Sequence, residues 1–215
     1  MDFFDSTKSI VENLYLLSGP ILTLLAVAGI VQLFLTKKTL IINSQRDAAN
    51  LAAQQLRDYC ERVIPTLNKY DISLRKEKIQ DVDIEIGEFS RQYLEKKLGK
   101  PRLKEIVNER LKLLYLQLNA LNTLESFSIY FVKGIADEQI AYSSVGRTFC
   151  FSVEKYYFDI AFSRSKDDNA FQNIIDLYKL WRSRLDKEKL TKEQEDLLRR
   201  LNNINVETID PIGTK

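Results

Sequence analysis

The sequence predicts an all-α protein: one membrane-spanning helix that continues into a stem helix, then a helical bundle. Three observations carry this. Residues 13–36 contain no Asp, Glu, Lys or Arg. Beyond them, apolar residues recur at steps of three and four, the period of a helix face rather than of a strand. Only 7 Gly and 4 Pro occur in 215 residues, so breakers are few and long helices are favoured.

The uncharged stretch holds LYLLSGPILTLLAVAGIVQLFL. A span takes about 20 apolar residues, at about 1.5 Å of rise each, and this run suffices. A buried core helix is one competing reading, but core helices rarely run this far without a charge. A cleaved signal peptide is the other, with Ala26-Val27-Ala28 imitating a cleavage site. Signal peptides start basic and have a shorter apolar core; here Asp2, Asp5 and Glu12 outweigh Lys8. The expectation is an uncleaved signal-anchor, with residues 1–12 as an external tail and 13–36 as the span. Lys37, Lys38 and Arg46 follow before any acid appears at Asp47, so the positive-inside rule puts the N-terminus outside and the rest in the cytoplasm. Gly19, Thr23, Ala26 and Gly29 lie at near-helical spacing and would let two spans approach closely. Pro20 is expected in the first turn of the span, where a missing N–H costs least.

Past the span about 180 residues remain, enough for one helical domain with a real core. The whole chain carries +2, residues 1–12 carry −2, and the remainder carries +4. A domain this balanced gives no case for nucleic acid. Histidine is absent, which removes imidazole-dependent triads and most zinc sites but not carboxylate–magnesium chemistry. Cys60 and Cys150 are expected as free thiols in a reducing compartment.

The elements follow in order. A stem helix is expected over 37–70, with Ile41, Ala48, Ala52, Leu56, Tyr59 and Val63 on one stripe, ended or kinked by Pro65. It can pack in cis on the domain or in trans on a partner stem; a short seam diluted by Ala favours cis. Residues 71–85 read as a charged loop, and 71–203 as a cytoplasmic domain of about five helices. One helix is expected over 84–98, capped by Gly99, and Pro101 opens the next over 102–133. There Val107, Leu111, Leu114, Leu118 and Leu121 form the expected core stripe, with Gly134 as the stop. Residues 135–143 read as a connector. A helix over 144–162 carries Val145, Phe149, Val153, Tyr156 and Ile160. Asp167 or Asp168 caps one reaching Lys189, with Phe171, Ile174, Ile175, Tyr178 and Trp181 inward. Thr191 and Gln194 suggest a capping box for a last helix to Asn202. Residues 204–215 read as a loosely held tail.

Three polar constellations stand out. Asn119, Asn122 and Glu125 lie on one helix, and Glu125 follows the core stripe inward, where a carboxylate needs a partner. Arg147, or the hydroxyl of Tyr142, Tyr156 or Tyr157, is the expected partner. Asn122, Glu125 and Arg147 thus form either a buried network that sets helix register or a pocket for a ligand or reaction. Asp81, Asp83 and Glu85 alternate, but without the glycine and terminal Glu of a calcium loop they read as a solvated linker rather than a metal site. Lys37, Lys38 and Arg46, near Ser44 and Asp47, form a membrane-proximal cluster able to meet anionic headgroups, or simply a hydrated helix face. Gly146-Arg147-Thr148 lacks the spacing of a phosphate loop. The charges over 182–200 alternate in sign, as on a solvated helix.

The segments KKTLIINSQRDAANLAAQQ (37–55) and LNTLESFSIYFVKGIADEQIAY (121–142), behind a single span, resemble a group of bacterial membrane-anchored proteins of unknown function. The matching positions are Asn122, Leu124, Glu125, Gly134, Ala136, Asp137 and Glu138, within residues 14–160. The resemblance implies a bacterial inner-membrane protein with an all-helical fold and supplies no activity. The expectation is a non-enzymatic, cofactor-free protein. Its partners would be the lipid bilayer and either further copies of itself or another protein, and an antiphage-defence membrane effector is the specific version. The alternative is a small-ligand sensor or enzyme using a polar pocket around Glu125.

Overall fold

A computed structural model describes residues 2–164 and 169–204. It is all-α; no strand occurs among the described residues. The chain divides into two compact units, Met1–Ala49 and Asn50–Lys215.

The first unit is helical from Asp2, so residues expected as an external tail already belong to a helix: α1 spans Asp2–Asp58. One helix is long and apolar enough to cross a membrane, with a window of mean hydropathy 2.0 that is 0% buried. Leu22, Leu25, Leu33 and Phe34 all stand exposed. Pro20 lies inside α1, because the helix begins at Asp2, ahead of the apolar window. Thr23 turns its hydroxyl back onto the Gly19 carbonyl at 2.9 Å, which leaves no free donor on that face.

The second unit begins with the last turns of α1. They pass through a π turn, Tyr59–Val63, into α2, Ile64–Lys76. Pro65 neither ends nor replaces the helix. A proline ring collides with the carbonyl four residues earlier, here Glu61, and widening the preceding turn relieves it; the Ile64 N–H reaches back five residues to Tyr59 O. The stem therefore runs to Lys76 instead of stopping near 70. Burial of Tyr70 and Leu74 and the Asp71–Arg75 pair at 2.8 Å hold its charged end helical. Ala52, Tyr59, Val63 and Leu67 enter the main core, so this part of the stem packs in cis.

Helix α3 covers Arg91–Leu98 and starts later than expected from 84–98. The Ser90 side chain caps it, and the backbone before it is pinned elsewhere: the Gly87 N–H and Glu88 O both bond the Tyr157 hydroxyl. Tyr93 packs so closely on Gly87 that a Cβ there would overlap its ring. Gly99, at φ 78°, separates α3 from α4, Lys100–Arg110.

The long helix expected over 102–133 is broken. A 3₁₀ turn, Leu111–Leu113, links α4 to α5, Leu114–Val132. The break lets α4 bury Leu103 and Ile106 in a small second core while α5 faces the main one. It also shifts the phase of the apolar stripe, because three residues at about 120° instead of about 100° add roughly 60° of rotation. Of the expected core stripe only Leu121 is fully buried; Leu111, Leu114 and Leu118 are 48%, 41% and 38% exposed. The inward face is instead Gln117, Ala120, Leu121, Leu124, Phe127 and Phe131.

Gly134, at φ 64°, stops α5 as expected. Helix α6 spans Glu138–Lys155, absorbing most of the expected connector, and α7 spans Tyr157–Ser163 after an interruption at Tyr156. Helix α8 runs unbroken over Gln172–Asn202. The predicted capping box fails: Thr191 donates to Lys187 O at 2.9 Å, a bond made in mid-helix, and no breaker lies between Lys189 and Thr191. The Asp167 or Asp168 cap lies outside the described residues, as does the tail beyond Ile204.

Helix α8 packs on α5 and α6, and α2 packs on α5. Trp181 is fully buried at their centre among Phe127, Phe131, Phe149 and Tyr142. Cys60 is exposed, Cys150 is buried, and both are free.

Candidate functional site

The trio expected around Glu125 does not assemble. Asn122 and Arg147 are exposed, and neither bonds Glu125. The three tyrosines bond elsewhere: Tyr142 to Glu188, Tyr156 to Leu67 O, Tyr157 to Glu88 O. Glu125 accepts instead from the N–H groups of Asn173 and Ile174, at 3.2 and 2.9 Å, and from Asn173 Nδ2 at 2.6 Å. These are the second and third residues of α8, whose amides have no intrahelical acceptor. Phe171, at the cap position, has no side-chain oxygen to serve them. Glu125 is thus a capping carboxylate supplied from another helix, and its charge suits the positive helix end. Glu125→Ala is expected to cost about 1–2 kcal/mol, and Glu125→Gln less because an acceptor remains; thermal melts of the two variants check the order.

The acidic turn that follows α5 is equally structural. Asp137 caps α6 through the amides of Gln139 and Ile140. Glu138 accepts from Trp181 Nε1 and pairs with Arg184 at 2.7 Å.

A different constellation lies between α4, α5 and α7, and sequence reading missed it. Arg110 ends α4 and turns inward to Asp159 on α7, with Nη1 at 2.9 and 2.8 Å from the two carboxylate oxygens. Tyr70 donates to Asp159 at 3.2 Å, and Gln117 Nε2 does so at 3.3 Å. Phe158 lies under the guanidinium at 5.1 Å. The side chains of Arg110 and Asp159 are 7% and 1% exposed. Burial pushes the Asp159 carboxyl above the ordinary carboxylate range, against the opposing pull of Arg110 and the Tyr70 hydroxyl. Burial also disfavours the Arg110 charge, yet Asp159 and Tyr70 outweigh it and hold the guanidinium protonated. Burial raises the Tyr70 hydroxyl too, so it serves as a neutral donor. One signal in the sequence could have revealed the pair: Asp159 is the lone charge inside the aromatic run Tyr156–Phe162.

This pair forms the floor of a partly open cavity of about 240 Å³. Its walls are mostly apolar, with Leu111, Leu114 and Leu118, which the phase shift turned away from the core, beside Phe158 and Phe162, and with Gln117 and Ser163 as polar members of the lining. Arg110 Nε, buried, has no hydrogen-bond partner.

The remaining sequence-predicted residues stand apart from this cavity. Lys37, Lys38 and Arg46 are exposed on α1. Gly19, Thr23, Ala26 and Gly29 are exposed as well, and a Cβ added at either glycine would meet open space. In the acidic loop Glu85 pairs with Lys97 at 2.9 Å. Among the described residues no group of three His, Cys, Asp or Glu is placed to hold a metal ion.

Fold and site together define an all-α protein with one helix long and apolar enough to cross a membrane and a helical domain with a buried Arg–Asp pair. Compared with protein-family models, curated proteins and solved structures, the chain finds no match in any of the three.

Proposed function

We propose that this chain is a single-span protein of the bacterial inner membrane, with its N-terminus outside and its helical domain in the cytoplasm, acting by assembly rather than by catalysis. The observation that carries this is the wholly unburied apolar window of α1, which needs lipid around it. The cluster of exposed bases after the span, Lys37, Lys38 and Arg46, supports the orientation. The buried polar groups support a non-enzymatic reading: Glu125 is spent on a helix cap and Asp159 on Arg110. Reporters fused at either end test the topology. A cytoplasm-dependent fluorophore is expected to work at the C-terminus only, and a C-terminal phosphatase active in the periplasm would overturn the orientation.

Self-assembly is supported by the outer half of α8. Leu190, Leu197 and Leu201 stand 64%, 59% and 63% exposed, and with Gln194 they alternate by four and three, the spacing of a two-helix seam. Anchoring in one bilayer raises the effective concentration of such helices for each other. Cross-linking in membranes is expected to trap multimers that the Leu197→Glu/Leu201→Glu variant loses; an unchanged pattern would count against this seam. For the specific version, a membrane effector of antiphage defence, the full chain and a span-deleted form should differ in phage challenge.

A further inference from the structure

We infer that the outer half of α8 pairs antiparallel with the same segment of a second copy, so that the chain closes as a two-fold dimer. The inference rests on the self-assembly reading above and gives it a partner, a direction and a register. Every residue from Asp186 to Asn202 is exposed. This segment draws nothing from the domain core, although most helical stability in proteins comes from packing. Its apolar side chains gather on one side: Leu190, Leu197 and Leu201 follow the seam, and exposed Leu198 flanks it.

Charge decides the direction, since the residues beside a two-helix seam set partner and orientation. Glu193 and Arg200 immediately precede the seam residues Gln194 and Leu201, so they stand on the same edge, one heptad apart. In an antiparallel pair that edge faces its own copy. Centred between Glu195 and Asp196, the pairing sets Leu190 against Leu201 of the second copy and Gln194 against Leu197 of the second copy. It brings Glu193 beside Arg200 of the second copy, twice by symmetry. Both side chains can respond: Glu193 has only Lys189, at 3.9 Å, and Arg200 has no ion pair among the described residues. The two copies of Gln194 fall in adjacent layers, about 4.5 Å apart along the seam, where their amides can meet.

Other arrangements lose these pairs. A parallel, in-register seam sets Lys187, its next position toward the domain, against its own copy and leaves Glu193 beside Leu198. Sliding the antiparallel pair by one heptad puts like charges together, which costs affinity and so excludes the register. In one direction Glu193 meets its own copy and Leu197 meets Lys187, although Asp186 then reaches Arg200. In the other direction Arg200 meets its own copy and Leu190 has no seam partner. An antiparallel pair of identical helices uses one surface twice, so it closes at two copies rather than growing into a filament.

The test uses full chains in bacterial membranes, all carrying Cys60→Ser, with buried Cys150 left in place. Chains with Leu190→Cys and with Leu201→Cys carry different tags and are oxidised alone or after co-expression. A disulfide between the two chains is expected on co-expression and little in either alone, because identical positions then stand about 16 Å apart along the seam. Disulfides within each population alone, and none between them, overturn the inference in favour of a parallel pair. Absence of any disulfide, while amine cross-linking still traps multimers of the Cys60→Ser parent, overturns it too and leaves self-assembly to another surface. A parent that stays monomeric under amine cross-linking overturns the assembly reading as well.

A second measurement leaves the leucines intact. Energy transfer between labelled chains is followed on dilution in phosphatidylethanolamine–phosphatidylglycerol vesicles. Glu193→Arg and Arg200→Glu are each expected to weaken association roughly tenfold, since two attractions become two repulsions. The double variant Glu193→Arg/Arg200→Glu is expected to restore it. Single variants without effect, or a double variant no better than the singles, overturn the register.

Discussion

Arg110→Met is expected to destabilise the helical domain by about 3–5 kcal/mol, because it leaves the Asp159 carboxylate buried without its countercharge. For a domain of this size that lowers Tm by roughly 6–20 °C. Asp159→Leu in the same background should recover most of the loss, since replacing both members of a buried pair with apolar groups is often near neutral. The pH dependence has a definite sign. Burial already raises the Asp159 carboxyl, and removing Arg110 raises it further. A carboxyl whose folded pKa lies above its unfolded value binds its proton more tightly when folded, so acid favours the folded state. The stability gap between Arg110→Met and the parent should therefore narrow as pH falls from about 8 toward 5. Thermal melts across that range check it, and a gap that widens in acid would refute the buried-charge account.

Trp181→Ala is the second large effect, expected at about 3–5 kcal/mol. The indole is fully buried against Phe149 at 5.0 Å, Phe131 at 6.1 Å and Phe127 at 6.4 Å, so truncation opens a cavity where α5, α6 and α8 meet. It also strips Glu138 of a donor, although Arg184 remains at 2.7 Å. Trp181→Phe keeps most of the apolar volume and should cost well under half as much. Denaturant titration of both variants separates packing from the lost hydrogen bond: similar costs would mean that the N–H to Glu138 outweighs the ring.

Periodicity made the helices legible and left their partners open. The inward face of α8 was readable: Ile174, Ile175, Tyr178 and Trp181 are all buried. So was most of the expected face at 145–160, where Phe149, Val153, Tyr156 and Ile160 are buried although the helix breaks at Tyr156. On α5 the same reasoning failed, because a three-residue 3₁₀ turn rotates everything after Arg110 and no residue type there announces it. Glu125 was correctly singled out as a carboxylate needing a partner, but the partner was an α8 terminus 48 residues away, which local spacing cannot reveal. Arg110 and Asp159 escaped notice for the same reason. Arg110 sits in an ordinary helical context, and although Asp159 stands out as the lone charge in an aromatic run, its partner is fixed only when α4 and α7 bring the two within 2.8 Å.

By itself the sequence determined the class of this protein. An uncharged apolar window, three-and-four periodicity and scarce breakers admit few solutions other than one long exposed apolar helix and a helical domain, since burial and backbone hydrogen bonding are local to a helix. Gly99, Pro101 and Gly134 likewise punctuate the chain through backbone geometry that needs no tertiary context. Tertiary structure alone decided which polar groups meet. Pairing depends on the phase and packing of helices distant in sequence, and a rotation of roughly 60° is enough to turn a core stripe into the wall of a cavity. That is why the helices could be placed from residues alone, while the Arg110–Asp159 floor and the Glu125 cap could not.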